Sequence, residues 1–183
     1  MVVRRKVDLA DPESVLEMLN EIRRWKRLFK KYDDTCTGML GEDQVQKLMT
    51  DINSGKAPSP IELEFIMSYY GGEARALAMP EFKEAVQFWR LYVHQEQELR
   101  AAIAHFNRSG TGKLDRQELR DYLVHLNGGV GVSGEEVDSV LAGSSISGDE
   151  ISSPLELMRA TSLWHARRAE RRSEQSSCGC IIS

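Results

Sequence analysis

Four apolar residues, Leu40, Leu77, Leu114 and Ile151, follow one another at intervals of 37 residues. Their neighbours keep step. Eight residues before each anchor stand Tyr32, Tyr69, Phe106 and Gly143, and three before those stand Phe29, Ile66, Ile103 and Val140. Four residues beyond the anchors stand Gln44, Glu81, Glu118 and Leu155. A period of this length means one supersecondary unit used four times.

Each unit reads as helix, short polar loop, helix. In the first, DPESVLEMLNEIRRWKRLFKKY starts on Asp–Pro, and Val15, Leu16, Leu19, Ile22, Trp25 and Phe29 recur at helical spacing. DDTCTGMLGEDQ follows, and a second helix is predicted around VQKLMTDI. In the third unit, ELRAAIAHF leads into NRSGTGKLDRQE and out through LRDYLVHL. Between the second and third units, PEFKEAVQFWRLYVHQEQELRAAIAHF has no glycine and only an initial proline. It is compatible with one long helix or with two helices and a hinge. A boundary between halves is expected there, near His94.

Composition narrows the function classes. The chain has 183 residues, 41% apolar and 28% charged, with a net charge of −4, as befits a folded polypeptide without the dense basic face of a nucleic-acid binder. Three cysteines make no disulfide framework. The start, MVVRRKVDLADPE, lacks the apolar core of a signal peptide, and Val2 replaces the glycine that N-myristoylation needs. No apolar run approaches the ~18 residues of a membrane span.

The repeated helix–loop–helix units, each with an apolar residue in mid-loop, resemble EF-hands of the calmodulin, troponin C and myosin light-chain group over residues 17–165. The resemblance implies an all-α fold: four hands in two paired lobes joined by a long helical linker, with a flexible C-terminal tail. The expected organisation is an extension at 1–16, a lobe at 17–93, a second lobe at 94–165 and a basic, serine-rich tail at 166–183. Within each lobe the resemblance implies that the mid-loop residues pair, Leu40 with Leu77 and Leu114 with Ile151.

Calcium takes six to eight oxygens, which a twelve-residue EF loop supplies from alternate residues and a closing glutamate. NRSGTGKLDRQE fits best, with Asn107, Ser109 and Thr111 as side-chain oxygens, the Lys113 carbonyl, Asp115 through water and Glu118 closing. Only two of these are carboxylates, so the expected site is weak, at or above ~10⁻⁵ M. DDTCTGMLGEDQ is a lesser candidate, with Asp33, Thr35, Thr37, Met39 and a closing amide, Gln44. YGGEARALAMPE keeps only Glu81 and Leu77 and carries Arg75 where the turn glycine belongs. SSISGDEISSPL closes on Leu155; a one-residue shift brings Glu156 to the end but puts Ser152 in mid-loop. Both are expected to be metal-free. SGTGK resembles a phosphate loop, but Asn107 replaces its first glycine and no Ser or Thr follows Lys113, so no nucleotide is expected.

An opened lobe would offer an apolar groove to an amphipathic helix of a target protein. Phe29, Leu48, Met49, Met67, Phe82, Val86, Ile103, Leu119 and Leu123 are the expected lining, each also a natural core residue. Nothing suggests an enzyme. His94, His105, His125 and His165 lack metal-ligand spacing, and Cys36 has no evident base partner.

The last residues, CGCIIS, place Cys180 fourth from the end, before two isoleucines and a serine. That is a C-a-a-X prenylation signal of the farnesyl type. One prenyl chain anchors only marginally, so a second signal is expected, with Cys178 the candidate palmitoyl site. The expected protein is a calmodulin-like calcium-binding regulator on the cytoplasmic face of a eukaryotic membrane. The alternative is a calcium-independent, light-chain-like adaptor at that membrane.

Overall fold

The computed structural model describes residues 12–178 and, of these, the side chains at 13 and 15–171. The basic N-terminal stretch and Cys180 lie outside the described residues, and so does the side chain of Cys178. Among the described residues the chain is all-α, with seven helices: α1 (Pro12–Tyr32), α2 (Glu42–Ile52), α3 (Pro60–Tyr70), α4 (Met79–Phe106), α5 (Arg116–Leu126), α6 (Gly134–Ser144) and α7 (Pro154–Cys178).

Helix starts follow from local chemistry. Ser59 caps α3: its Oγ accepts from Glu62 N at 3.3 Å, while the Glu62 carboxylate accepts from Ser59 N at 2.7 Å. Ser133 and Glu136 repeat this reciprocal pair at α6. At α5, Asp115 accepts from the N–H groups of Gln117 and Glu118, both at 2.8 Å. Each device satisfies amide groups that the first helical turn leaves without partners.

The segment from Met79 to Phe106 is one continuous helix of 28 residues. That decides between the two arrangements its composition allowed. Residues 166–178, expected to lie in a tail, continue α7 as helix. Apolar periodicity ends at Trp164, but the following Ala, Arg, Glu and Gln residues are good helix formers with no Gly or Pro before Gly179.

The chain divides into two compact units, Met1–Arg90 and Leu91–Ser183, with the division inside α4. In the first unit, Leu40 and Leu77 exchange two backbone hydrogen bonds of 2.9 Å. Around this bridge Phe65, Met67, Phe82, Val86 and Trp89 are buried. Trp89 Nε1 donates to the Met49 carbonyl at 3.0 Å, and Phe29 meets Phe82 edge-to-face at 5.1 Å. In the second unit, Leu114 and Ile151 make the matching bridge, at 2.9 and 2.8 Å. Leu119, Leu123, Val137, Val140, Leu157 and Trp164 are buried there. Each large apolar side chain so buried contributes ~1.5–3 kcal/mol over its exposed form, so the bridges sit where packing is most favourable.

Candidate metal-binding loops

Residues 107–118 connect α4 to α5, and their oxygens converge. Ser109 Oγ lies 3.0 Å from Asn107 Oδ1 and 3.1 Å from Thr111 Oγ1. Thr111 Oγ1 is in turn 3.4 Å from Asn107 Oδ1 and 3.5 Å from the Lys113 carbonyl oxygen. Ligand oxygens 2.4 Å from a calcium ion and adjacent in its shell are about 2.8–3.5 Å apart. These contacts are hydrogen bonds between the oxygens, and their lengths fall in the range a calcium shell would need. Gly112 makes the turn between them with a φ of +79°, a conformation that suits glycine because it has no Cβ.

Glu118 closes the loop. Its Oε1 accepts from Ser109 N at 2.8 Å and its Oε2 from Asp115 N at 3.0 Å. Glu118 as a residue is only 5% exposed. Burial pushes its pKa up, but the backbone N–H groups of Ser109 and Asp115 outweigh that and hold it below the usual glutamate value. Asp115 caps α5 through its Oδ1. Three cations flank the oxygens and each is paired: Arg108 with Asp121 at 3.3 Å, Lys113 with Glu150, and Arg116 with Asp138. The donor set fits calcium, and the low count of carboxylates fits weak binding.

Residues 33–44 build a similar row. Thr35 Oγ1 is 3.4 Å from Asp33 Oδ1 and 3.2 Å from Thr37 Oγ1, which is 3.0 Å from the Met39 carbonyl oxygen. Asp33 also accepts from Thr37 N and Gly38 N. The closing Gln44 defeats the site. Its Oε1 accepts from Gly41 N at 2.9 Å, which turns its Nε2 towards Asp34 and towards Thr35 Oγ1 at 3.4 Å. An N–H donor stands where a cation needs an oxygen, so this donor set does not fit. Cys36 in the same loop is exposed and takes a φ of +54°.

Residues 70–81 offer still less. Arg75 takes a φ of +45°, and its guanidinium binds Glu64 at 2.8 and 3.0 Å and Glu42 at 3.1 Å. The hydrogen bonds of Arg75 and Ser68 hold the Glu64 carboxyl at a pKa of about 2. Glu81 Oε2 is buried with no hydrogen-bond partner among the described residues.

The fourth loop departs from its expected close. Leu155 is in the core, and Glu156, fully buried, performs the closing contacts. Its Oε1 accepts from Ile146 N at 2.8 Å, and its Oε2 from Ser152 N at 2.6 Å and Ser152 Oγ at 2.7 Å. Counting 37 residues from the third loop misses Glu156 by one position. The signal that finds it is SPLE, a Ser–Pro–x–Glu helix start like SPIE at residues 59–62. Ser145 Oγ is 3.1 Å from Ser147 Oγ and donates to the Glu150 carbonyl at 2.6 Å. Ile146 brings no side-chain oxygen.

All the residues expected to line a groove are buried: Phe29, Leu48, Met49, Met67, Phe82 and Val86 in the first unit, and Ile103, Leu119 and Leu123 in the second. They form core rather than an open groove in this conformation. No group of three or more His, Cys, Asp or Glu side chains gathers as a metal site among the described residues. The set at 107–118 relies instead on amide, hydroxyl and carbonyl oxygens.

No family model and no curated relative matches this chain. Among solved structures it is similar to a redox protein from Chlamydomonas reinhardtii, at 23% identity and a TM-score of 0.47, over 85% of this chain and 52% of that one. The chain thus spans about half the length of that protein, and a likeness of this degree carries no argument about fold or function.

Proposed function

We propose that the protein is an EF-hand-type calcium-responsive regulator, lipid-anchored through Cys180, whose one working metal loop is residues 107–118. The observation that carries this reading is the set of four oxygens 3.0–3.5 Å apart, with the Glu118 carboxylate folded over the same loop. Asn107, Ser109, Thr111, the Lys113 carbonyl and Glu118 would hold the ion. Bound calcium would supply a divalent charge in place of the hydrogen bonds that now satisfy those oxygens.

The chain's own part is mechanical. Glu118 stands in the first turn of α5, so its carboxylate links the helix start to the loop. Its present partners, Ser109 N and Asp115 N, fix one position of α5. The apolar faces for a target helix are buried, so target binding requires the helices to separate. Farnesylation of Cys180 and palmitoylation of Cys178 rest on the CGCIIS signal alone.

Calorimetric titration of the recombinant protein tests the calcium claim. One weak binding event, removed by Glu118→Gln, is expected. No heat at millimolar calcium would contradict it.

A second reading has its own support. The Gln44 amide and the Arg75 ion pairs fit a unit whose helices are clamped permanently, as in myosin light chains. On this reading a partner co-purifies equally in chelator and in calcium.

A further inference from the structure

Helix α1 presents a face that the first unit does not cover. Leu16, Leu19 and Ile22 are 55%, 40% and 42% exposed. At about 100° per residue, Val15, Leu16, Leu19, Ile22, Arg23, Lys26, Arg27 and Lys30 occupy one arc of about 140°. Apart from Pro12 at the helix start, no other residue of the described helix falls on that arc. It therefore carries four aliphatic and four cationic side chains and no acid, although the chain as a whole has a net charge of −4. Arg23, Lys26, Arg27 and Lys30 are all exposed. The acids of α1, Glu13, Glu17 and Glu21, lie off the arc, and Glu21 is engaged with Trp25 and with Lys83 at 3.2 Å. Off the arc, Phe29 and Tyr32 are buried in the core of the unit.

We propose that this face of α1 docks on an anionic lipid surface. The charge sign selects the occupant: a strip with four cations and no anion matches a leaflet of acidic headgroups. The form selects lipid over a groove-forming protein. Aliphatic side chains stand on a convex helix, and long flexible cations beside them reach headgroups while their stems stay in the interface. The inference is independent of the lipidation reading, because it needs no residue beyond α1, but it supplies the second membrane signal that a single prenyl chain lacks.

The test uses the full chain produced without lipid modification, in vesicle flotation with phosphatidylcholine alone and with about a third phosphatidylserine. Binding to the anionic vesicles only, weakening with salt, is expected. Arg23→Glu with Lys26→Glu is expected to reduce partitioning at least ~10-fold, since each cation near such a surface contributes on the order of fivefold. Leu19→Gln with Ile22→Gln, on the same exposed face, is expected to reduce it with unchanged circular dichroism. Equal binding to both vesicles, absence of binding, or no loss in either variant would overturn the proposal. Capture of an acidic protein by the face without vesicle binding would overturn it too. None of these outcomes bears on Cys180, whose modification this preparation lacks.

Discussion

Cys36 and Gly110 are each the fourth residue of their loops, and both take left-handed backbone, with φ of +54° and +72°. A side chain there costs ~1–2 kcal/mol, against ~0.5–1 kcal/mol of extra chain entropy for glycine. Cys36→Gly is therefore expected to raise stability by up to ~1 kcal/mol. A lower denaturation midpoint would contradict this. Gln44 gives a sharper expectation. Gln44→Glu replaces an amide donor by a carboxylate facing Asp34. Without calcium the variant is expected to be less stable than the parent, by like-charge repulsion. With calcium it is expected to show a second binding event by calorimetry, and unchanged stoichiometry would refute that. At this scale the sequence was legible for the anchors: Leu40 pairs with Leu77 and Leu114 with Ile151, as the family resemblance implied. For Glu156 the sequence left two registers open, because the offset from Ile151 lands on Leu155 and a shift to Glu156 puts Ser152 in mid-loop. It did not show which way the Gln44 amide turns, which depends on Asp34 and Gly41.

At the scale of elements, the start of α5 is coupled to protonation. Glu118 is held below its ordinary value of 4.5 despite burial, through the amides of Ser109 and Asp115. A depressed folded-state value adds stability above pH 4.5 that is lost as pH falls through the lowered value. The melting temperature is expected to drop over that acidic window, and the drop to shrink in Glu118→Gln. An identical pH profile in the variant would argue against the coupling. Helix caps such as SPIE and SPLE were written locally and are readable as such. The length of α7 was not inferred from apolar periodicity, because the helix outlasts its packed face. Beyond Trp164 the helix is carried by residue propensity and by surface contacts such as Arg171 with Glu136. The continuity of α4 was open for the opposite reason: its composition permits a hinge but does not demand one.

For the whole molecule, fold class and internal repetition were legible because a repeat writes the same constraint four times. The sequence does not fix the function, because the one loop whose donor set fits calcium, residues 107–118, offers mostly neutral oxygens. The proposed membrane contacts are the exposed face of α1 and the lipid on Cys180. In eukaryotic cells Cys180→Ser is expected to move the protein from the membrane fraction to the soluble fraction, and an unchanged distribution would refute prenylation as the anchor. The central claim concerns residues 107–118. Its most direct measurement is the amide resonance of Gly112, the turn residue at the middle of the oxygen row, during calcium titration by NMR. The account predicts a large, saturable shift at high micromolar to millimolar calcium, abolished by Glu118→Gln, with the Gly38 amide unmoved. A Gly112 resonance that stays in place at millimolar calcium, or that moves equally in the Glu118→Gln variant, would contradict it.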